Sequence, residues 1–462
     1  MGRLKISSYH GKINGAVRVP SSKYHLHRAL IFGSLAKGKT RITGKSYAVH
    51  IKDSLNALKD LGIKINNTKH GYIVEGGPYI PVNGGVRVGS SGTTSQFLIG
   101  LGSFSQNGPA TYDGQKALKA RPMEPLLNAL SDMGIKNESD NGRLPITVYP
   151  GLPKGGKVQI QGTLSQWISG LLILAPLASK DTVVEAIPPL NEKTYINLTI
   201  NMMNQFGINV IEHPNGRTWT VPAKQNYHPA DLTLEPDLSS AAFLLVLASL
   251  HPSDLILEGI SAGGSHPEGR ILEIVEKMGL PIEADHEKDQ IVIKHNGIQP
   301  TASLEIDMRN MPDLIPALSV LAALSKGKTV LRNIGPGRLK ESNRVKAMLQ
   351  LNKMGADIKE VGDDLIIMGV DDLKAASIST YNDHRVEMAF AIAATRANGE
   401  SDLSFPNAYK ISYPEFLDHM KQLGLDMRIE KSERKRERRQ LQHGKRMSTG
   451  KRTIVPGPSK KG

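Results

Sequence analysis

Three short stretches carry groups able to bind an anion and move a proton. Gly337–Arg344 reads GRLKESNR and sets Lys340, Glu341 and Arg344 close together. On a helix starting there, Lys340 and Arg344 would share a face, with Glu341 beside them. Tyr381–Arg385 reads YNDHR, placing a possible acid, a possible base and a cation at one helix start. Asp313 follows Pro312 at the head of an otherwise apolar run, an unusual place for a carboxylate. Lys23 and Arg28, and Arg121 after Lys116 and Lys119, stand near other helix starts. Plainer uses exist for each: a solvated face would carry Lys340, Glu341 and Arg344 equally well, and Asp313 would serve as a first-turn acid. His25 and His27 offer two metal ligands from a strand, but no third ligand is evident nearby, so no metal is expected.

The elements that must position these groups repeat. Ser54–Ile65 reads SLNALKDLGIKI: leucines at three-residue steps, then Gly62 as a left-handed stop, then alternating isoleucines. The phrase returns with stops at Gly134, Gly207, Gly279, Gly355 and Gly424, spaced 72, 73, 72, 76 and 69 residues apart. Six units of about that period predict a repeat architecture. Each unit has a second, almost wholly apolar helix, expected at 28–36, 94–105, 166–179, 240–250, 312–324 and 386–397. These helices should be buried, with the amphipathic set outside or beside the sheets. Their lead-ins are rich in capping residues, as in Pro20-Ser21-Ser22-Lys23, Ser90-Ser91-Gly92-Thr93-Thr94 and Asp237-Leu238-Ser239-Ser240. Helix N-termini attract anions, so three per lobe facing a cleft would form an anion trap; plain capping would leave the same residues.

Six units exceed one core, so an α/β protein of two lobes is expected, each of three units arranged β-α-β-α-β. A crossing is expected near Leu234–Asp237. With the first strand, Leu4–Ser8, paired to the second half, lobe one is 1–14 plus 234–428 and lobe two 15–233. With 5% aromatics, the cores must be aliphatic. The lack of cysteine excludes disulfides and thiolate chemistry and fits a reducing compartment. No signal peptide is read at Met1–Lys12, and the longest apolar run, Trp167–Ala178, is too short to span a bilayer. A cytoplasmic protein is expected. The net charge of +14 is local: Lys431–Gly462 holds twelve Lys or Arg against two Glu, a net +10. Residues 429–462 read as a disordered basic tail, either a solubilising extension or a binder of nucleic acid or an acidic protein.

The motifs PSSK with HRAL, GSSGTT, KARP, Ser165-Gln166, Pro312-Asp313, RLKESNR and NDHR stand in the order seen in 5-enolpyruvylshikimate-3-phosphate (EPSP) synthases. From Leu4 to about Gly424 the chain resembles that family, whose fold is two lobes, each of three β-α-β-α-β-β units, which implies an active site in the interlobe cleft. The resemblance implies transfer of the enolpyruvyl group of phosphoenolpyruvate to the 5-hydroxyl of shikimate 3-phosphate, releasing phosphate, by a monomer needing no metal or organic cofactor. By similarity, Lys23 touches both substrates. Tyr24, Arg28, Ser165, Gln166, Asp313 and Lys340 would line the shikimate 3-phosphate site. Gly92, Arg121, Gln166, Arg344 and Arg385 would hold phosphoenolpyruvate. Asp313 would accept the hydroxyl proton, Glu341 would protonate the methylene carbon, and His384 would support the leaving phosphate.

The chain also departs from the family. Tyr24 stands where Ser is usual, Ser90 for Asn, Gln96 for Arg, Leu164 for Ser, Glu192 for Ser, Pro336 for a polar residue and Asn343 for Asp. Ile411 replaces a late Lys, although Lys410 precedes it. Glu192 would repel a phosphate and Leu164 removes a donor, so the acceptor side is the altered side. An enolpyruvyl transferase with another acceptor and a catalytically weakened paralogue with a nucleic-acid-binding tail are therefore further readings. A transferase acting on a UDP-sugar is disfavoured, because its loop cysteine has no counterpart here.

Overall fold

The computed structural model describes residues 2–260 and 264–431. Six four-stranded sheets share one plan: two parallel strands, then two antiparallel ones. In one unit, Gly85–Gly89 lies parallel to Ala110–Gly114, which pairs antiparallel with Arg143–Val148, itself antiparallel to Asn137–Asp140. A buried helix links the first two strands, and the amphipathic helix Glu124–Asp132 precedes the last two. The chain order is thus β-α-β-α-β-β.

All six stop glycines adopt positive φ, from +79° at Gly207 to +102° at Gly279. Each closes its helix in the same way. The Gly62 N–H bonds the Lys59 carbonyl and the Ile63 N–H bonds that of Leu58; the same pair of bonds recurs at Gly134, Gly207, Gly279, Gly355 and Gly424. This is the Schellman ending, which needs a left-handed residue and so selects glycine.

Five of the six buried helices start earlier than their apolar runs predict, and the fifth in chain order opens at its expected place. They are α1 (Lys23–Leu35), α2 (Gly92–Leu98), α3 (Ser165–Leu174), α4 (Leu238–Leu250), α5 (Ile315–Ala323, led by a 3-10 turn at Pro312–Leu314) and α6 (His384–Thr395). Ser22, Ser91, Asp237 and Asp383 cap four of them through their own side chains. These N-termini are therefore largely occupied rather than open to a ligand. Leu164 and Met311 offer no such group. Two distant carboxylates substitute: Glu192 accepts the Ser165 N–H and Glu268 accepts the Asp313 N–H.

Two separate apolar cores form, one from Leu4–Val19 with Leu238–Leu425 and one from Tyr24–Tyr227. Arg3–Ile6 inserts between Ser401–Leu403 and Met427–Glu430. The expected boundary after residue 14 needs correction, because Ile13–Arg18 is one strand and pairs with Ser253–Glu258 in lobe one. Asp231–Thr233 closes the first sheet of lobe two beside Gly38–Thr43. The chain thus crosses between lobes twice. The two crossings touch, with the Ser22 N–H on the Glu235 carbonyl and the Asp237 N–H on the Pro20 carbonyl, both 2.8 Å. No helix among the described residues is long and apolar enough to cross a membrane. The expected tail start at residue 429 needs correction, because Met427–Glu430 is a strand paired with Arg3–Ile6; the tail from residue 432 lies outside the described residues.

Candidate active site between the lobes

One cleft gathers Lys23, Tyr24, Arg28, Gly92, Arg121, Ser165, Gln166, Asp313, Lys340 and Glu341. They meet there because four of the six buried helices start at it. Lys23 and Tyr24 open α1, Gly92 opens α2, Ser165 and Gln166 open α3, and Asp313 precedes α5. Arg344, His384 and Arg385 lie behind the cleft wall, fully buried.

Asp313 is the hub. Its Oδ1 takes an Arg344 N–H at 2.6 Å, its Oδ2 lies 3.3 Å from Arg385, and Lys340 Nζ is 3.8 Å away. The Tyr24 hydroxyl donates to Oδ2. Burial pushes the Asp313 carboxyl up, but Arg385, Lys340, Arg344 and Lys23 outweigh it and hold it well below the usual range. Arg344 also donates to Glu341 at 2.7 Å and to Asp383 at 2.9 Å. One guanidinium therefore joins three carboxylates. Glu341 has Arg121 3.7 Å from its other oxygen. Against burial, Arg344 and Arg121 keep its carboxyl well below the usual range. Burial lowers the Lys23 ammonium, Arg385 adds to the effect, and Asp313 and Glu341 oppose it.

Several expectations change. Lys340 and Arg344 do not share a helix face: residues 340–343 are irregular and a short helix starts only at Arg344, capped by Asn343. Both still reach Asp313. Arg28 lines the cleft, yet its donors go to Thr199, the Tyr24 carbonyl and the Tyr195 carbonyl. Such a guanidinium fixes α1 to the helix Lys193–Gln205. His25 and His27 lie on α1, not on a strand, and bond Ser22, Ser265 and Ser54. Gly92 has a steric reason: a Cβ there would stand 2.8 Å from an Arg121 nitrogen. Glu341, Asp383 and His384 bring three potential metal-ligand atoms within 4.8 Å, but Arg344 already bridges the two carboxylates.

Glu192 sits where the repulsion was expected, and it is buried. Its Oε2 accepts the Ser165 N–H at 3.1 Å and the Ser165 hydroxyl at 2.7 Å, and its Oε1 pairs with Lys340. His50 also lines the cleft, 6.1 Å ring to ring from His384. Burial lowers both imidazoles, that of His50 to about 3, so both are neutral near pH 7. His50, Tyr195 and Glu268 escaped the sequence reading, for they stand in no charged cluster and cap no helix of their own.

A two-lobed α/β fold with a buried carboxylate set among fixed cations in the interlobe cleft defines a site for small anionic substrates. The family model for EPSP synthase (3-phosphoshikimate 1-carboxyvinyltransferase) matches residues 8–420. A 3-phosphoshikimate 1-carboxyvinyltransferase of Methanocaldococcus jannaschii is 37% identical over 424 residues, 90% of this chain and 97% of the relative. One from Acetivibrio thermocellus is 34% identical over 422 residues, again 90% and 97%. The structure of EPSP synthase from Acinetobacter baumannii superposes with a TM-score of 0.77 at 25% identity, covering 93% of this chain and all of that one. The chain belongs to the EPSP synthase family.

Proposed function

We propose that this chain carries out the reaction for which its family is named. It transfers the enolpyruvyl group of phosphoenolpyruvate to the 5-hydroxyl of shikimate 3-phosphate and releases phosphate, a step of aromatic amino acid biosynthesis. The observation that carries the residue roles is the Arg344 bridge, which sets Asp313 and Glu341 on two arms of one guanidinium. Asp313 accepts the hydroxyl proton and Glu341 gives a proton to the methylene carbon, forming a tetrahedral adduct. Collapse of the adduct reverses the second transfer and expels phosphate, which carries away the hydroxyl's proton.

Both carboxylates are over-stabilised as anions while the arginines face them. Phosphoenolpyruvate brings its own carboxylate and phosphate to Arg121, Arg344 and Arg385. That shares the arginines' charge, and the Glu341 carboxyl rises toward the range where it holds a proton. Neutral His384, beside Glu341, donates to the leaving phosphate. Ser165, Gln166 and Lys340 take the acceptor, with Lys23 between the two substrates. Closure of the lobes about the paired crossings at Ser22 and Asp237 excludes water.

Phosphate release from phosphoenolpyruvate with shikimate 3-phosphate tests the reading. Asp313→Asn is expected to lower kcat by at least roughly 100-fold, while calorimetry still detects phosphoenolpyruvate. An unimpaired variant would remove Asp313 from the role. The protein acts as a cytoplasmic monomer, a placement supported by the absence of cysteine. Its basic tail, at +10, binds nucleic acid or an acidic protein independently of catalysis.

A further inference from the structure

We propose that Glu268 receives, through Ser239 and Tyr24, the proton that Asp313 takes from the acceptor hydroxyl. The inference rests on the reading of Asp313 as the base. Glu268 lies fully buried beside Asp313. Its Oε1 accepts the Asp313 backbone N–H at 3.0 Å, and its Oε2 accepts the Ser239 hydroxyl. Ser239 Oγ is 3.4 Å from Tyr24 Oη, and Tyr24 donates to Asp313 Oδ2. The four groups stand in line from one carboxylate to the other. Both hydroxyl protons point outward to the carboxylates, so the Tyr24–Ser239 step closes when Asp313 is protonated and the Tyr24 hydroxyl turns to Ser239. Tyr24 stands where the family usually has Ser, so this link is the chain's own.

The transfer balances over three bonds. Protonated Asp313 gives its proton to Tyr24 Oη. The phenol gives its original proton to Ser239 Oγ, and Ser239 gives its hydroxyl proton to Glu268 Oε2. Tyr24 and Ser239 end neutral and Glu268 ends as the acid. When the adduct collapses, the proton returns by the same path and leaves with phosphate. No other reactant is needed.

The electrostatics drive this direction. Asp313, ringed by cations, holds a proton poorly. Burial, with the charge of Asp313 added, pushes the Glu268 carboxyl up to about 7, against the opposing effect of Arg385. The groups facing it are Asp313 ahead of α5, Arg385 from α6, Tyr24 from α1, Ser239 from α4 and Tyr195 from Lys193–Gln205. His266, on its own loop, is lowered to about 4 and is neutral at working pH. A carboxyl near 7 beside one far lower is a poised acid and base pair. Glu268 must be ionised to receive the proton, so turnover should rise with pH through about 7.

The experiment measures kcat against pH for the wild type, Glu268→Gln, Tyr24→Phe and Ser239→Ala, with both substrates saturating. The wild type is expected to show an acid limb near pH 7. In Glu268→Gln and Tyr24→Phe that limb should vanish and plateau kcat should fall about tenfold. In Glu268→Gln the KM for phosphoenolpyruvate should change less than about twofold, as for a group that acts on proton transfer rather than binding. An unchanged limb and rate in both variants would overturn the relay. If Glu268→Gln fails to fold, Tyr24→Phe and Ser239→Ala decide, since each removes one hydroxyl. A wild type that releases no phosphate from this substrate pair would defeat the reading of the reaction itself, a different failure from an unchanged limb.

Discussion

Lys340 of lobe one is ion-paired to Glu192 of lobe two at the heart of the cleft. The same carboxylate caps α3 through Ser165, where Leu164 cannot. It thus occupies three donors that an acceptor phosphate would use. Glu192→Ser is expected to lower the KM for shikimate 3-phosphate about tenfold, ~1.4 kcal/mol, the worth of one charge-assisted hydrogen bond. The KM for phosphoenolpyruvate should hold. A raised acceptor KM would instead make Glu192 part of the acceptor site.

Glu387, on α6, is fully buried, with one oxygen on the Tyr409 N–H at 2.6 Å. Burial pushes its carboxyl from 4.5 to about 8, against bonds from Tyr409 and Ala408. The native state keeps a proton that the unfolded chain gives up. This contribution is fully present below pH 4.5 and is lost as pH rises toward 8, with a slope of up to about 1.4 kcal/mol per pH unit. Glu387→Gln lacks that loss. Its thermal midpoint, relative to wild type, should climb steadily from about pH 5 to about pH 8. Parallel curves would contradict this.

The stop glycines offer a matched pair. Gly279 has open space around it, whereas a Cβ on Gly207 would lie 2.6 Å from His228 Cδ2. Gly279→Ala should cost only the left-handed backbone penalty, roughly 1–2 kcal/mol. Gly207→Ala should cost more, by about 1 kcal/mol, as His228 is displaced. Urea unfolding of the two variants measures the difference, and equal losses would mean His228 moves freely.

Removing residues 432–462 is expected to leave kcat and both KM values unchanged. RNA retention should disappear with the tail. In the full chain it should weaken steeply as salt rises. Retention that survives the deletion would move the binding surface onto the folded lobes.

The repeat was legible because a Schellman ending demands one residue type at one place, and glycine marks it six times. The motifs around Asp313, Glu341 and Arg385 were legible because charge at an apolar helix start is conspicuous. Helix starts were less so, since Lys23 and Arg385 are polar residues inside buried helices and break the apolar pattern. Lys340 and Arg344 were placed on one helix because four-residue spacing fits one, yet an irregular turn delivers both to Asp313. Glu268 was invisible: it serves a helix 45 residues away, and no local pattern encodes that. Ile13–Arg18 was assigned across a boundary because its partner, Ser253–Glu258, lies in the other half of the chain.

That last pairing has a consequence for the order of assembly. Arg3–Ile6 and Ile13–Arg18 leave the ribosome first, but their partners lie at Ser253–Glu258, Ser401–Leu403 and Met427–Glu430. Lobe two needs nothing beyond Thr233 for its three sheets. It can therefore close while the rest is still being made, and the earliest-made strands wait longest for partners. Until Met427–Glu430 emerges, Arg3–Ile6 lacks one neighbour and lobe one has an open sheet edge, the kind of surface that pairs with the wrong chain.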